Sequence, residues 1–149
     1  MPIKTFRGLL ADGTERRINL TTNKGEVGYR ITKFEIMSKL AGEDAACGGD
    51  YEHIVKIWSV SQSTIDAVID FENNELLGAA FLSGSASSHA YPTSEVIVFD
   101  SMIFNQDIYV TLKNQEKGDQ CNYYIELEQM KLDLNEATVA TLKDIRNLK

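Results

Sequence analysis

Short segments of strand-forming residues, separated by frequent turn residues, constrain this 149-residue chain more than any other feature. The segments are rich in Val, Ile, Thr, Tyr and Phe, which fit the pleated surface of a sheet, while Gly, Asn, Asp and Ser stand between them. The chain is long enough to bury a single core. We therefore predict a mainly β protein, an antiparallel β-sandwich or jelly-roll-like domain of about eight to nine strands that forms one domain over residues 1–149.

The segments and the turns between them give a provisional strand order. The predicted strands cover residues 4–10, 14–22, 27–37, 52–60, 67–71, 76–82, 95–100, 107–113 and 122–132. Asp12-Gly13 lies between the first two strands, and this dipeptide favours the positive φ of a hairpin turn. We therefore expect the first two strands to pair with each other.

Two longer connections, residues 38–51 and 83–94, are rich in Gly, Ser and Ala. Such segments contribute little to a core and lie at the surface. If successive strands alternate in direction, the first connection follows the third strand and the second follows the sixth. This count places the two loops at opposite ends of the molecule.

The third strand, 27–37, carries apolar residues on parts of both faces, which is typical of a central strand or of one that changes phase at a bulge. In the last strand, 122–132, the pattern is clearer. One face carries Tyr123, Ile125 and Leu127, and the other carries Tyr124, Glu126 and Glu128. Apolar residues then continue at Met130, Leu132 and Leu134, so we predict a bulge near Glu128 or Gln129.

The C-terminal segment changes to a helical period. Asp133 and Glu136 have capping-box spacing, and Val139, Leu142 and Ile145 follow at intervals of three residues. This pattern predicts a short helix over residues 133–149. The stretch "TVATLKDI" also suits a strand, because Thr and Val favour sheets.

Charge and composition narrow the range of partners. The chain carries 15 basic and 22 acidic residues, a net charge of −7, and its basic residues are scattered. Proteins that neutralise phosphates concentrate positive charge, so nucleic acid and anionic membranes are poor candidates for the main partner. We also expect no signal peptide and no membrane-spanning helix, because no apolar run is long enough.

Residue types that usually carry chemistry are sparse and badly spaced for it. Cys47 and Cys121 form no CxxC motif, which favours reduced thiols, although one bridge between them remains open. The only histidines, His53 and His89, lie near no nucleophile motif and are expected to be exposed polar residues. We predict no catalytic residues, no cofactor and no metal, and we interpret Glu126 and Glu128 as solvated carboxylates. Trp58 is predicted to pack in the core.

Two blocks of sequence resemble a known family. "VIVFDSMIFNQDIYVTLKN" (96–114) and "CNYYIELEQMKLDLNEATVATLKDIRN" (121–147) are similar to segments of uncharacterised small virion proteins of tailed bacteriophages, especially marine ones. The likeness extends to "ITKFEIM" and "LLGAAFL" and covers most of the chain. It implies a structural component of a virion, synthesised in the host cytoplasm, and it brings no catalytic residues with it.

From this resemblance we expect a non-enzymatic head decoration (cement) or tail-associated protein. Its partners would be other virion proteins, in the capsid or the tail, and copies of itself, bound through protein–protein interfaces. Candidate interface residues are Ile3, Phe6, Tyr124, Glu126, Glu128, Leu142 and Ile145. The apolar ones also suit a core. The alternative is a carbohydrate- or receptor-binding module that uses the 83–94 loop, with His89 and Tyr91 as contact residues.

Overall fold

A computed structural model shows eight antiparallel strands in two sheets over the residues that it describes. The structure describes residues 2–20, 26–39, 51–84, 92–115 and 120–133, without the side chains of 92–94. The strands are β1 (Ile3–Leu10), β2 (Thr14–Ile18), β3 (Val27–Ser38), β4 (Tyr51–Trp58), β5 (Leu76–Gly84), β6 (Pro92–Phe99), β7 (Ile108–Asn114) and β8 (Cys121–Lys131). The prediction of a mainly β, antiparallel sandwich is confirmed.

The core lies between a three-stranded sheet, ordered β1-β8-β3, and a five-stranded sheet, ordered β2-β7-β4-β5-β6. In β8 buried residues alternate with more exposed ones, as in a half-buried strand, whereas β4 is buried on both sides. The inward residues join into one cluster, in which the fully buried members include Val55, Ile57, Ile108, Val110, Leu112, Ile125 and Leu127. This shared cluster holds the two sheets together.

The turn between β1 and β2 has the predicted conformation but a different role. Gly13 has a φ of 74°, as the Asp-Gly signal predicts. The predicted hairpin is nevertheless wrong, because β1 pairs with β8 while β2 pairs with β7 in the other sheet. The turn is fixed by β7 instead: the Gly13 N–H donates to the Leu112 carbonyl at 2.8 Å, and Asp12 accepts from the Asn114 N–H at 2.8 Å.

The predicted strand at 67–71 is also wrong. Side chains here replace the partner that a strand would need: Asp66 accepts the N–H of Val68, and Asp70 accepts the N–H of Glu72. Such local bonds favour turns over ladders. Residues 59–75 therefore form an irregular connection between β4 and β5, in which Val68 and Phe71 are 65% and 67% exposed.

Because no strand forms at 67–71, the two long connections leave the sandwich at positions other than those predicted. Tyr51, which opens β4, is paired with Gly84, which closes β5. The N–H of Gln115, just past β7, also donates to the Glu52 carbonyl at 3.1 Å. The strand ends that flank 40–50 and 85–91 therefore lie together at one end of the molecule, so the prediction of opposite ends is wrong.

A bulge lies in β3. The register with β8 shifts between Ile31 and Lys33, so Thr32 is an extra residue. Ile31 and Phe34 consequently both face the core, although they are three residues apart. Of the two alternatives predicted for this strand, the phase change at a bulge is confirmed, and a central position is wrong because β3 lies at the edge of its sheet.

The bulge predicted near Glu128 or Gln129 is wrong, since β8 pairs there with β3 in unbroken register. Met130 and Leu132 remain on the outer face, together with Glu128. There they form a second small apolar cluster with Ile103, packed over Gly28. The apolar residues that suggested a bulge thus belong to a separate contact. Beyond Asp133, the predicted helix over 133–149 lies outside the described residues.

Two single-residue deletions test the bulge. Deletion of Thr32 converts β3 into a regular strand and keeps every inward residue inward. Deletion of Arg30 instead moves Tyr29, which is 2% exposed, onto the outer face and puts Gly28 in its place. We expect deletion of Arg30 to lower the free energy of unfolding by at least about 2 kcal/mol more than deletion of Thr32. Urea denaturation followed by Trp fluorescence measures both, and equal losses would contradict the register.

Candidate interaction surface

The outer face of the three-stranded sheet gathers four of the predicted interface residues. In β8, Tyr124, Glu126 and Glu128 point outward while the residues between them are buried, so the predicted division of faces is confirmed. Ile3 in β1 lies opposite Glu128 and is 51% exposed. We call the outer side chains of β1, β8 and β3 the polar face.

Charges on the polar face are paired with one another. Arg30 donates to Glu128 Oε2 from Nε at 3.2 Å and from a terminal nitrogen at 2.5 Å. The Tyr124 hydroxyl donates to Glu126 Oε1 at 2.7 Å, and the Lys33 amine lies 5.8 Å from the centre of the Tyr124 ring. Both glutamates thus have partners within the face. Among the residues that the structure describes, no group of three or more His, Cys, Asp or Glu is placed to hold a metal ion.

A shallow open hollow of about 500 Å³ lies at one end of the polar face. The outward side chains that line it are Arg7, Leu9, Glu35, Met37, Asn122 and Tyr124. Met37 is 62% exposed there. Since the lining mixes apolar side chains with charges of both signs, it suits a contact with another protein surface.

Of the other predicted interface residues, the structure describes Phe6. Phe6 is half-buried and packs against the core, so its core interpretation holds. Leu142 and Ile145 lie outside the described residues, as do His89 and Tyr91 of the predicted ligand loop.

His53 is not the exposed polar residue that the sequence suggests. It lies on the inner side of β4, fully buried, with Nδ1 2.5 Å from Asn114 Oδ1. Its ring stacks on Tyr51 with 5.1 Å between ring centroids. A hydrogen-bonded partner allows a polar ring to be buried, and only the pairing of β4 with β7 brings that partner close.

The outer face of the five-stranded sheet carries a buried lysine. The Lys56 amine donates to Asp66 Oδ1 at 3.1 Å and to the Val68 carbonyl at 2.6 Å. It also lies 5.1 Å from the Trp58 ring centre, and Trp58 donates to Thr111 Oγ1 at 3.0 Å. The hydrogen bond from Lys56 lowers the pKa of the Asp66 carboxyl. Trp58 is buried as predicted, but beneath the 59–75 connection and outside the core cluster.

Beside this covered region the outer face is apolar and open. Val96 and Val98 in β6 are 55% and 46% exposed. Val98 lies opposite Ala79, which lies opposite Lys56, so the exposed valines continue a row that starts under the 59–75 connection. The sequence feature that corresponds to this exposed apolar row is "EVIVF", in which apolar residues do not alternate with polar ones.

The Cys121 thiol is free and buried at the start of β8. Loss of water around it raises the pKa of the thiol to about 12. A thiol that stays protonated is a poor nucleophile, so Cys121 has a structural role in packing.

Comparison with protein-family models, with curated proteins and with solved structures gave no match. Within the described ranges, no helix has the length and apolar character needed to cross a membrane.

The pair formed by Tyr124 and Glu126 gives a pH prediction for the polar face. The pKa of Tyr124 is raised above its ordinary value of 10.0, chiefly by its hydrogen bond to Glu126. Since the folded pKa exceeds the unfolded one, the stability from this bond is present below about pH 10 and is lost as the pH rises through the folded pKa. NMR titration of ring-labelled tyrosine measures it, and Glu126→Gln should lower the pKa of Tyr124. An unchanged pKa in that variant would show that the hydrogen bond does not hold in solution.

Proposed function

We propose that this protein is a non-enzymatic structural protein of a tailed-phage virion, either a head decoration (cement) protein or a tail-associated one. It acts by binding copies of itself and other capsid or tail proteins. The observation that carries this proposal is the run of exposed apolar side chains along β6, with Val96 and Val98 open on a sheet face. Apolar patches left open on a small domain mark surfaces that a partner covers.

A second surface supports the same mode of action. The polar face is a continuous sheet surface with Ile3, Leu9 and Met37 set among paired charges. Mixed surfaces of this kind are typical of interface rims, where charges set orientation more than affinity. One chain thus offers an apolar contact on one sheet and a polar contact on the other, which suits a component with neighbours on two sides.

The resemblance of residues 96–114 and 121–147 to small virion proteins gives the proposal its setting. The two blocks contain strands of both sheets. The first contains β7 and the second half of β6, and the second contains β8. The resembling blocks therefore include the strands that carry the two candidate surfaces.

Mass spectrometry of gradient-purified phage particles tests the proposal. We expect the protein in intact particles at a fixed ratio to the major capsid protein. A count on the order of hundreds per particle would indicate head decoration or tail tube, and about six to eighteen would indicate an adaptor, collar or fibre attachment. Absence from intact particles, together with abundance in the infected-cell lysate, would contradict a virion role.

A second candidate function is recognition of a host carbohydrate or receptor. The observation that favours it is the adjacency of Tyr51 and Gly84, which places the strand ends flanking 40–50 and 85–91 at one end of the sandwich. Loops that leave one end of a sandwich can contribute to one binding surface. His89 and Tyr91 are the contact residues that the sequence proposes.

Deletion of residues 85–90 tests this second candidate. Because β5 and β6 are adjacent and antiparallel, a short turn can replace the deleted segment. If the candidate is correct, binding of the purified protein to host cells or glycan arrays is lost while its circular dichroism spectrum is kept. Binding that survives the deletion would show that the segment serves only as a connection.

A further inference from the structure

Strand β6 is an edge strand that lacks the protection found on the other edges. The edges of the two sheets are β1, β3, β2 and β6. Edge strands are commonly blocked by charged side chains, above all Lys, or by being short. β1, β2 and β3 each carry two basic residues: Lys4 and Arg7, Arg16 and Arg17, and Arg30 and Lys33. β6 has eight residues and no Lys or Arg, with Glu95 as its only charge.

The direction of its backbone groups follows from one hydrogen bond. The N–H of Asp100, just past β6, donates to the Leu77 carbonyl of β5 at 2.8 Å. In an antiparallel ladder the residues that bond to a neighbour alternate with those that face away. Glu95, Ile97 and Phe99 therefore direct their N–H and C=O groups away from β5. In the ranges that the structure describes, no strand pairs with this side of β6.

We propose that a second copy of this chain pairs antiparallel along the outer edge of β6, with the two-fold axis at Ile97. In that register Ile97 faces the partner's Ile97, and Glu95 faces the partner's Phe99. The register of β6 against β5 shifts where Gly84 pairs with Pro92, so the alternation along this edge is regular only from Ser94 to Phe99. Within that stretch Glu95, Ile97 and Phe99 of one copy each meet one of the same three residues of the other, and both members of each pair exchange N–H···O=C bonds. Shifting the register by two residues in either direction leaves fewer such pairs.

Side chains fit this register as well as the backbone does. On the outer face Val96 lies opposite the partner's Val98, so the exposed valine side chains of the two copies contact each other. Aliphatic cross-strand pairs of this kind stabilise a sheet. An isologous contact uses the same edge of both copies, so the dimer leaves no unpaired β6 edge to bind further chains.

Charge is the reason to assign a copy of this chain as the occupant. With a net charge of −7, two copies repel across most surfaces. Asp100, just past β6, accepts the Met102 N–H at 2.9 Å, and by strand alternation its side chain lies on the opposite face of the sheet from the partner's Glu95. Within β6 each copy brings only Glu95, and the proposed register places these two carboxylates about 13 Å apart along the strands. That distance exceeds the screening length of about 8 Å at physiological ionic strength. β6 is thus an edge where like copies meet with little repulsion.

This inference deepens the proposed function, since it names one partner and one surface of the virion component. The dimer needs no other phage protein, however, so its test uses the purified full-length chain. A dimer in solution with absence from virions would overturn only the proposed function. A monomer that is present in virions would overturn only the β6 pairing.

Sedimentation equilibrium from about 1 µM to about 1 mM measures the mass. We expect the mass to rise from 16.7 kDa to twice 16.7 kDa, or 33.4 kDa, as the concentration increases. Val98→Lys should remain at 16.7 kDa over the whole range. Val68→Lys, which makes the same substitution at an exposed valine of the 59–75 connection, is the matched control and should still dimerise.

A cross-linking experiment tests the register and does not depend on the lysine variants folding normally. Residues such as Val96 and the partner's Val98 form a non-hydrogen-bonded pair with Cα atoms about 4.5 Å apart, a separation that suits a disulfide. In a Cys47→Ser background, mixing Val96→Cys with Val98→Cys should give an oxidised dimer at least several-fold faster than either variant alone. Buried Cys121 is present in every sample and does not compete.

Three results would overturn the pairing. They are a monomeric wild-type chain at every concentration, dimers of Val98→Lys and Val68→Lys that form equally well, and a cross-link that forms no faster in the mixed sample. If the β6 edge binds a different protein and not a second copy, the wild-type chain would be monomeric at every concentration.

Discussion

Burial of alternate residues of β8 is the constraint on which the rest of the structure depends. This strand lies between β1 and β3, and its residues Tyr123, Ile125 and Leu127 fill the core against the five-stranded sheet. Because successive side chains of a strand point to opposite sides, burying these residues directs Tyr124, Glu126 and Glu128 outward. The core and the polar face are therefore fixed together. The extra residue at Thr32 lets the neighbouring strand β3 direct its apolar residues to the core and its polar residues to the polar face.

The two sheets meet solvent in different ways. On the three-stranded sheet the outward charges pair with one another, as Arg30 does with Glu128. On the five-stranded sheet the 59–75 connection covers the centre and is held there by Lys56, which is buried and bonded to Asp66 and Val68. Coverage stops before β6. The outer face of the three-stranded sheet thus carries charges that pair with one another. The outer face of the five-stranded sheet is covered at its centre and exposed at β6.

Much of this could be predicted from the sequence, and the failures have physical causes. Period-two patterning was enough to find the strands and to divide the faces of β8, because it reflects local geometry. The partner of a strand is not local, so the Asp12-Gly13 turn was identified while the change of sheet that follows it was missed. At 67–71 the composition favours a strand, but Asp66 and Asp70 satisfy the backbone within the segment. Burial of His53 depends on Asn114, 61 residues away, which no local pattern reveals.

Hydrogen exchange at the backbone amides of β6 tests most directly whether two copies of this protein pair along the exposed edge of that strand. The amides of Val96 and Val98 bond to β5 and should be protected at every protein concentration. Those of Glu95, Ile97 and Phe99 face away and should be protected only where the dimer forms, with protection lost on dilution. Rapid exchange of these three amides at all concentrations, or protection that dilution leaves unchanged, would contradict the account.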